Sequence, residues 1–396
     1  MKTIHTPEIE DVCEPEDIRI RNERGIGEWK NRPSIKPGEY IDNHLSTGPG
    51  HFSLGCGKFL TRGVWVMKYF ATISDQSALR GRGPDWTSLN LDKPVMAADG
   101  EDRPDVAIIN IGSDYANGSG CVVEDLSIYA YYHRTGSALV TSGVRGCGHD
   151  IRVSRVRISG IRGSVKPYGP LAIPYEAFGI SFGKGSGGHV VSCCRVEGEV
   201  GSYFSAYSAN SDGIYPTVFE RCDAKCADGY AALTVYDNAV FRDCMADTFA
   251  YGVYNDTEDI RLGARVEGCR LDVSRVGVGI VAVEGAGKIK RGLRVRDTVF
   301  TCLSEDKWVG LELIDKTKDK IAEFCDIEFV GCKFRGAERL TLLSTDASRN
   351  NVRGVRFIDC QFRGDTVIRA SGNEVEIIRP RNLDGMLIEK QIPSVL

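Results

Sequence analysis

The chain has 396 residues, 42% of them hydrophobic, and a formal net charge of −4. That balance lacks the basic field of a nucleic-acid binder, and no run of about 18 apolar residues is present to form a membrane-spanning helix. With 45 glycines and few sustained helical stripes, long regular helices are not expected either.

The N-terminus, Met1-Lys-Thr-Ile-His-Thr-Pro-Glu-Ile-Glu10, has no apolar h-region, so no ordinary secretory signal is expected. The 14 cysteines then read as reduced thiols, and a cytoplasmic location is expected. Residues 1–50 do not share the pattern that follows. They are charged over 8–24 and turn-rich at Asn31-Arg-Pro-Ser-Ile-Lys-Pro-Gly38. They read as an N-terminal cap, because a solenoid's first coil otherwise exposes core and a sheet edge. Residues 51–396 read as the solenoid itself.

Residues 51–100 hold irregular first coils. Val64-Trp-Val-Met-Lys68 reads as a strand, and Ser77-Ala-Leu-Arg-Gly-Arg-Gly-Pro-Asp-Trp-Thr-Ser-Leu-Asn-Leu91 as strand, turn, strand. Here the chain resembles the opening coils of pectin-lyase-like proteins, where an apolar strand followed by L-x-G-x-G-x-x-x-T-x-L is common.

From about residue 105 one unit recurs. A strand such as Phe178-Gly-Ile-Ser-Phe182 or Ala231-Ala-Leu-Thr-Val-Tyr236 is followed by a variable loop and then a six-residue frame. The frame is clearest in Thr217-Val-Phe-Glu-Arg-Cys222 and Ala239-Val-Phe-Arg-Asp-Cys244. Its apolar anchors are Val123, Val153, Val191, Phe219, Phe241, Val266, Val295, Phe329, Phe357 and Ile377. They span 254 residues (377 minus 123) in nine steps, about 28 each. Strands at this period with no helices between them predict an all-β fold, a single-stranded right-handed parallel β-helix of about 10–12 coils. An apolar-to-Cys spacing of three breaks strict alternation, so the chain is expected to bend at Glu220/Arg221, Arg242/Asp243 and Ile358/Asp359.

Two stretches break the period. Residues 163–177, Gly163-Ser-Val-Lys-Pro-Tyr-Gly-Pro-Leu-Ala-Ile-Pro-Tyr-Glu-Ala177, form an inserted loop that its prolines keep out of the ladder. Asp315-Lys-Thr-Lys-Asp-Lys320 is a charged loop. Insertions in solenoids collect on one face, often the binding face.

The frame cysteines Cys194, Cys222, Cys244, Cys269, Cys332 and Cys360 read as a stack of small buried side chains. Thr298 and Val156 substitute in the same column, which packing permits and metal ligation does not. Gly183-Lys-Gly-Ser-Gly-Gly188 matches G-x-G-x-x-G, but a strand and not a helix follows it, so no dinucleotide site is read there. Neither a metal nor a cofactor is expected. His133, His149 and His189 are candidate bases.

The outward side of the first strand concentrates tyrosines: Tyr203, Tyr207, Tyr230, Tyr236, Tyr251 and Tyr254. Taking Leu233 and Val235 as inward, Thr234 and Tyr236 point out, with Ser205 and Tyr207 at similar positions one coil earlier. Glu176 and Asp228 fall just ahead of strands, and Lys184, Asp237 and Asp256 just after. With Tyr175 and the rest of the insertion they outline an aromatic, acidic groove for a polar substrate, an oligosaccharide or a small metabolite.

Asn210-Ser-Asp-Gly-Ile214 is similar to the N-T-D-G-I segment of polygalacturonase-type glycosidases. Of that family's G-D-D pair only Asp228 remains, its G-H-G is Ala250-Tyr-Gly252, and no R-I-K follows, so a two-carboxylate hydrolase is not expected. The superfamily resemblance, over about residues 60–385, implies proton abstraction next to a carboxylate, as in lyases and epimerases of acidic polysaccharides. Under it Tyr207 or Tyr236 would be base or acid, Lys184 would neutralise substrate charge, and Asp228 and Glu176 would position the substrate. Tyr175, Tyr203, Tyr254, Asp237 and Asp256 would bind it. Two alternatives stand beside this: a small-molecule cyclase or isomerase using the same groove, and a non-catalytic, phage-tail-type β-helix, with a homo-oligomer possible.

Overall fold

A computed structural model describes residues 35–45, 50–62, 64–65, 72–73, 77–92, 106–112, 119–130, 140–161, 167–168, 173–174, 177–183, 187–198, 204–209, 215–226, 230–248, 250–256, 259–284, 287–304, 307–319, 321–336, 339–347, 351–362, 367–369 and 375–384. A typical coil runs through three strands. One coil, for example, takes Tyr251–Asn255, then Ala264–Glu267, then Arg270–Val273. In three later coils a further short strand, Ile289–Arg291, Glu323–Cys325 or Val352–Arg353, precedes the frame and stacks into a small sheet of its own. The strand after the loop and the one beyond it stack into a 20-stranded sheet, and the first strands into a 12-stranded one.

The frame anchors form a single parallel column. Val123 pairs with Val153, Val153 with Val191, Val191 with Phe219, Phe219 with Phe241, and so on to Ile377. Two further rungs, Phe52 and Leu79, extend it towards the N-terminus. Among the described residues that makes twelve coils of a right-handed parallel β-helix, as the repeat predicts. The short helix Asp42–Leu45 and the bridges Ile35 to Leu54 and Tyr40 to Leu60 lie against its first coil. The rest of the expected cap, residues 1–34, lies outside the described residues. Pro167–Tyr168 and Ile173–Pro174 of the insertion pair only with each other, as an antiparallel hairpin.

The bend inside the frame has a definite cause. The residue before each inward Cys or its substitute has positive φ: Asp125, Arg155, Cys193, Arg221, Asp243, Gly268, Asp297, Gly331, Asp359 and Arg379. One left-handed residue turns the chain enough for the anchor and the Cys, three apart, both to face inward. A second left-handed corner stands three residues before the anchor, at Gly120, Asp150, Gly188, Asn238, Gly263, Gly292, Asp326 and Gly354.

Asp and Gly dominate these corners because they tolerate this conformation best. Their order along the stack follows from side-chain reach. Asp125 is followed one coil later by Arg155, which clamps it through Nε–Oδ1 at 2.6 Å and Nη2–Oδ2 at 2.9 Å. Asp359 and Arg379 repeat the clamp at 3.0 and 2.6 Å. Asp243 and Asp297 are followed by glycine, and a Cβ at Gly268 or Gly331 would lie 2.4 or 2.5 Å from their Oδ1 atoms.

Inside, Phe219 stacks on Phe241 and Phe329 on Phe357, each pair 4.8 Å apart. The column cysteines are free thiols. Their Sγ atoms donate to the anchor carbonyl of the coil before: Cys222 to Val191 at 3.6 Å, Cys332 to Val295 at 3.3 Å, Cys360 to Phe329 at 3.4 Å. Burial raises the Cys222 and Cys332 thiols well above the ordinary range, so they stay protonated. Thr298 holds its place by donating to the Arg296 carbonyl at 2.9 Å.

Candidate functional site

The 12-stranded sheet places two rows of side chains on its outer side. In one row Ser181, Ser208, Thr234, Tyr254, Gly279, Glu312 and Ser344 stand in register. In the other, Ser205, Ala231, Tyr251, Val276 and Val309 do. Tyr254, Ala231 and Val281 pack with Tyr230, Tyr251, Val283 and Ile314 as an apolar cluster separate from the interior core. Their side chains therefore cover the outside of the sheet.

Three tyrosine rings meet there. Tyr230 lies edge-on to Tyr254 (4.8 Å, 82°) and to Tyr251 (5.2 Å, 66°), while Tyr251 and Tyr254 are 4.7 Å apart. Such edge-on contacts suit the ring quadrupole. Tyr230 donates its hydroxyl to that of Tyr254 at 2.8 Å. Tyr251 donates to Glu312 Oε2 at 3.3 Å, two coils further on. To reach it, the Tyr251 ring lies across Gly279, where a Cβ would fall 2.3 Å from two ring carbons. The glycine is the seat of the ring. Burial, with Tyr230 and Glu312 beside it, raises the Tyr251 phenol, which stays protonated and a donor at neutral pH.

Tyr236 and Asp256 stand two residues beyond the paired Thr234 and Tyr254. The Asp256 carbonyl accepts from Lys290 Nζ at 2.7 Å, and Lys290, buried, also bonds Asn255 Oδ1. Asp237 Oδ1 accepts from the backbone N–H of Arg261 (2.9 Å) and Leu262 (2.6 Å), so that oxygen fixes a loop.

Tyr207 is a correction. It pairs with Leu233, not with Tyr236, and is fully buried in the interior core. Its hydroxyl donates to the carbonyls of Cys194 (3.1 Å) and Asp223 (2.5 Å), and burial pushes its phenol well above the ordinary range. It cannot be base or acid to an outside substrate. Ser205 and Ser208, rather than Ser205 and Tyr207, are its outward neighbours. Tyr207→Phe should cost about 1–2 kcal/mol of stability by removing the buried hydroxyl's hydrogen bonds, although the Cys194 carbonyl keeps the Asp223 N–H; thermal denaturation reads it, with no change in ligand binding. A loss of binding in the folded variant would contradict this placement.

Tyr254 is on the outer side but only 4% exposed, and Tyr236, just past the end of its strand, is 8% exposed. Tyr175, Glu176, Lys184, Tyr203 and Asp228 lie outside the described residues, as do His133 and Asp212. Sequence counting missed Glu312, although Gly310-Leu-Glu-Leu-Ile alternates and puts it outward. His189 is no exposed base: it is buried, stacked on Phe182 at 4.0 Å, and its Nδ1 accepts from the Ile151 N–H at 3.2 Å.

No family model and no curated protein matches the chain. Solved structures do. The catalytic domain of a GH87 α-1,3-glucanase in complex with nigerose aligns at TM-score 0.56 and 14% identity, covering 89% of this chain and 70% of that one. The tailspike protein of E. coli bacteriophage HK620 in complex with a hexasaccharide aligns at TM-score 0.50 and 9% identity, covering 86% and 72%. A mannuronan C-5 epimerase A-module from Azotobacter vinelandii aligns at TM-score 0.45 and 11% identity, covering 86% and 93%. At these identities the likeness is one of fold.

Proposed function

We propose that this chain, which has the right-handed parallel β-helix fold of pectin-lyase-like proteins, binds an oligosaccharide across the outer side of its 12-stranded sheet. The observation that carries this is the Tyr251 ring, packed against the backbone of Gly279 and hydrogen-bonded to Glu312. A ring seated in this way offers its other face to a sugar ring, and the Tyr230 and Tyr254 edges bound it. Nothing in the core needs these rings, since they form a cluster of their own. Glycan complexes of the glucanase and tailspike neighbours support the same reading.

Tyr251→Ala is expected to weaken oligosaccharide binding about tenfold, the size of a lost aromatic stacking contact. Titration calorimetry against a panel of oligosaccharides reads it, with the melting temperature of the half-buried variant within a few degrees of the parent. Equal affinity for parent and variant across the panel would remove the tyrosine platform as the site.

Turnover is the finer part of the proposal. With Tyr207 in the core, proton abstraction by a lyase or epimerase rests on Tyr236, two residues beyond Thr234, as Asp256 is two beyond its partner Tyr254. Unsaturated ends (lyase) or inversion at C-5 (epimerase) on a uronate panel would be its signature, and absence of both with retained binding would leave an adhesive β-helix. A reducing, cytoplasmic setting also belongs to this proposal, and the column of free, buried cysteines suits it.

A further inference from the structure

The platform's charges narrow its ligand. Along the outer row that holds Tyr254, the register runs Asn110, Arg145, Ser181, Ser208, Thr234, Tyr254, Gly279, Glu312, Ser344 and Arg369. Its two arginines stand four coils to either side of Tyr254, about 19 Å away at the strand spacing. Between them the one charged side chain is Glu312, which is an acceptor only and holds the Tyr251 hydroxyl. Arg275 is the cation that acts on Tyr251, more weakly than Glu312 does and in the opposite sense. Lys290 is buried and engaged with Asn255 and Asp256.

Accepting the oligosaccharide-binding reading above, and in place of its lyase or epimerase turnover, we infer that this face takes an uncharged, hydroxyl-rich sugar chain and turns away a polyuronate. A uronate stacked on Tyr251 brings a carboxylate next to Glu312, and like charges at a few ångströms in a partly desolvated site repel strongly. Sugar hydroxyls meet no such cost: they donate to Glu312. A cationic amino sugar would pair with Glu312 but meets Arg275 on the same platform.

The test uses the full chain and three probes: a neutral gluco-oligosaccharide, an oligogalacturonate and a chitosan oligomer of matched length. Titrations run at low salt, where charge effects are least screened. The neutral chain is expected to bind at least about tenfold tighter than the oligogalacturonate, a difference of about 1.4 kcal/mol. Glu312→Gln should narrow that gap by about tenfold through gain of uronate affinity, and the gap should close only partly with salt. Tyr251→Phe, which keeps the ring and drops the Glu312 contact, serves as a second variant should Glu312→Gln unfold. Oligogalacturonate or chitosan binding as tightly as the neutral chain, with loss in Tyr251→Ala, overturns the uncharged ligand and leaves the platform standing. Absence of binding by all three, or binding that Tyr251→Ala does not weaken, overturns the platform itself.

Discussion

Phe241→Ala should destabilise the β-helix by about 3–5 kcal/mol, towards the upper end of what such truncations cost. Phe241 is fully buried, stacked on Phe219 at 4.8 Å and 17°, and in register with Val266 on the other side. Backbone ladders hold the rungs above and below at a fixed spacing, so the cavity has little room to collapse. The damage should also be local. In a solenoid each coil touches only its neighbours, so the halves on either side of residue 241 lose their coupling. Urea denaturation of the variant is expected to start at lower denaturant and to split into two steps. Phe241→Leu, which keeps most of the volume, should cost only about 1–2 kcal/mol and unfold in one step. An alanine variant that melts in a single transition at the parental midpoint would refute both points.

Acid should unfold the chain through His189. Burial, with His149 adding to it, lowers its pKa from 6.5 to about 3. The folded state therefore keeps His189 neutral between those values while the unfolded state takes up a proton. Stability from this group is complete above about pH 6.5 and is lost as the pH falls. The loss reaches about 2 kcal/mol by pH 5 and about 3 kcal/mol by pH 4. His189→Asn removes the titration and offers an amide oxygen to the Ile151 N–H that Nδ1 now serves. It also gives up the stack on Phe182, so it should be the less stable protein at neutral pH. Stability curves of the two proteins against pH should then converge or cross as acid is added. Curves that stay parallel down to pH 4 would show that the acid sensitivity lies elsewhere.

The frame was legible because its repeat is a rule about local backbone. Each anchor sits over the next in the column read from spacing alone, and the bend expected at Arg221, Asp243 and Asp359 is the left-handed corner. The groove was harder, and Tyr207 shows why. Counting outward from Leu233 and Val235 assumes strict alternation, but in this strand two successive residues face the core. Ala206 and Tyr207, Ala232 and Leu233, and Leu342 and Leu343 are all members of the interior cluster. A period of two cannot foresee such a break, because the glycines that permit it, Gly179, Gly252, Gly277 and Gly310, carry no hydropathy signal. The Tyr251 platform has the same origin: Gly279 reads as an absence in the sequence and acts as a seat in the structure.

The paired corners also set a manufacturing tolerance. In eight coils the two left-handed residues are five apart: 120 and 125, 150 and 155, 188 and 193, 238 and 243, 263 and 268, 292 and 297, 326 and 331, 354 and 359. Anchor-to-anchor length meanwhile ranges from 20 residues (357 to 377) to 44 (79 to 123). All of that slack is taken up outside the corners. A residue gained between them would swap the inner and outer sides of the strand, whereas one gained in a loop only lengthens an overhang. Drift in chain length is thus steered away from the wall and into the loops beside the 12-stranded sheet, where the surface can change without rebuilding the helix.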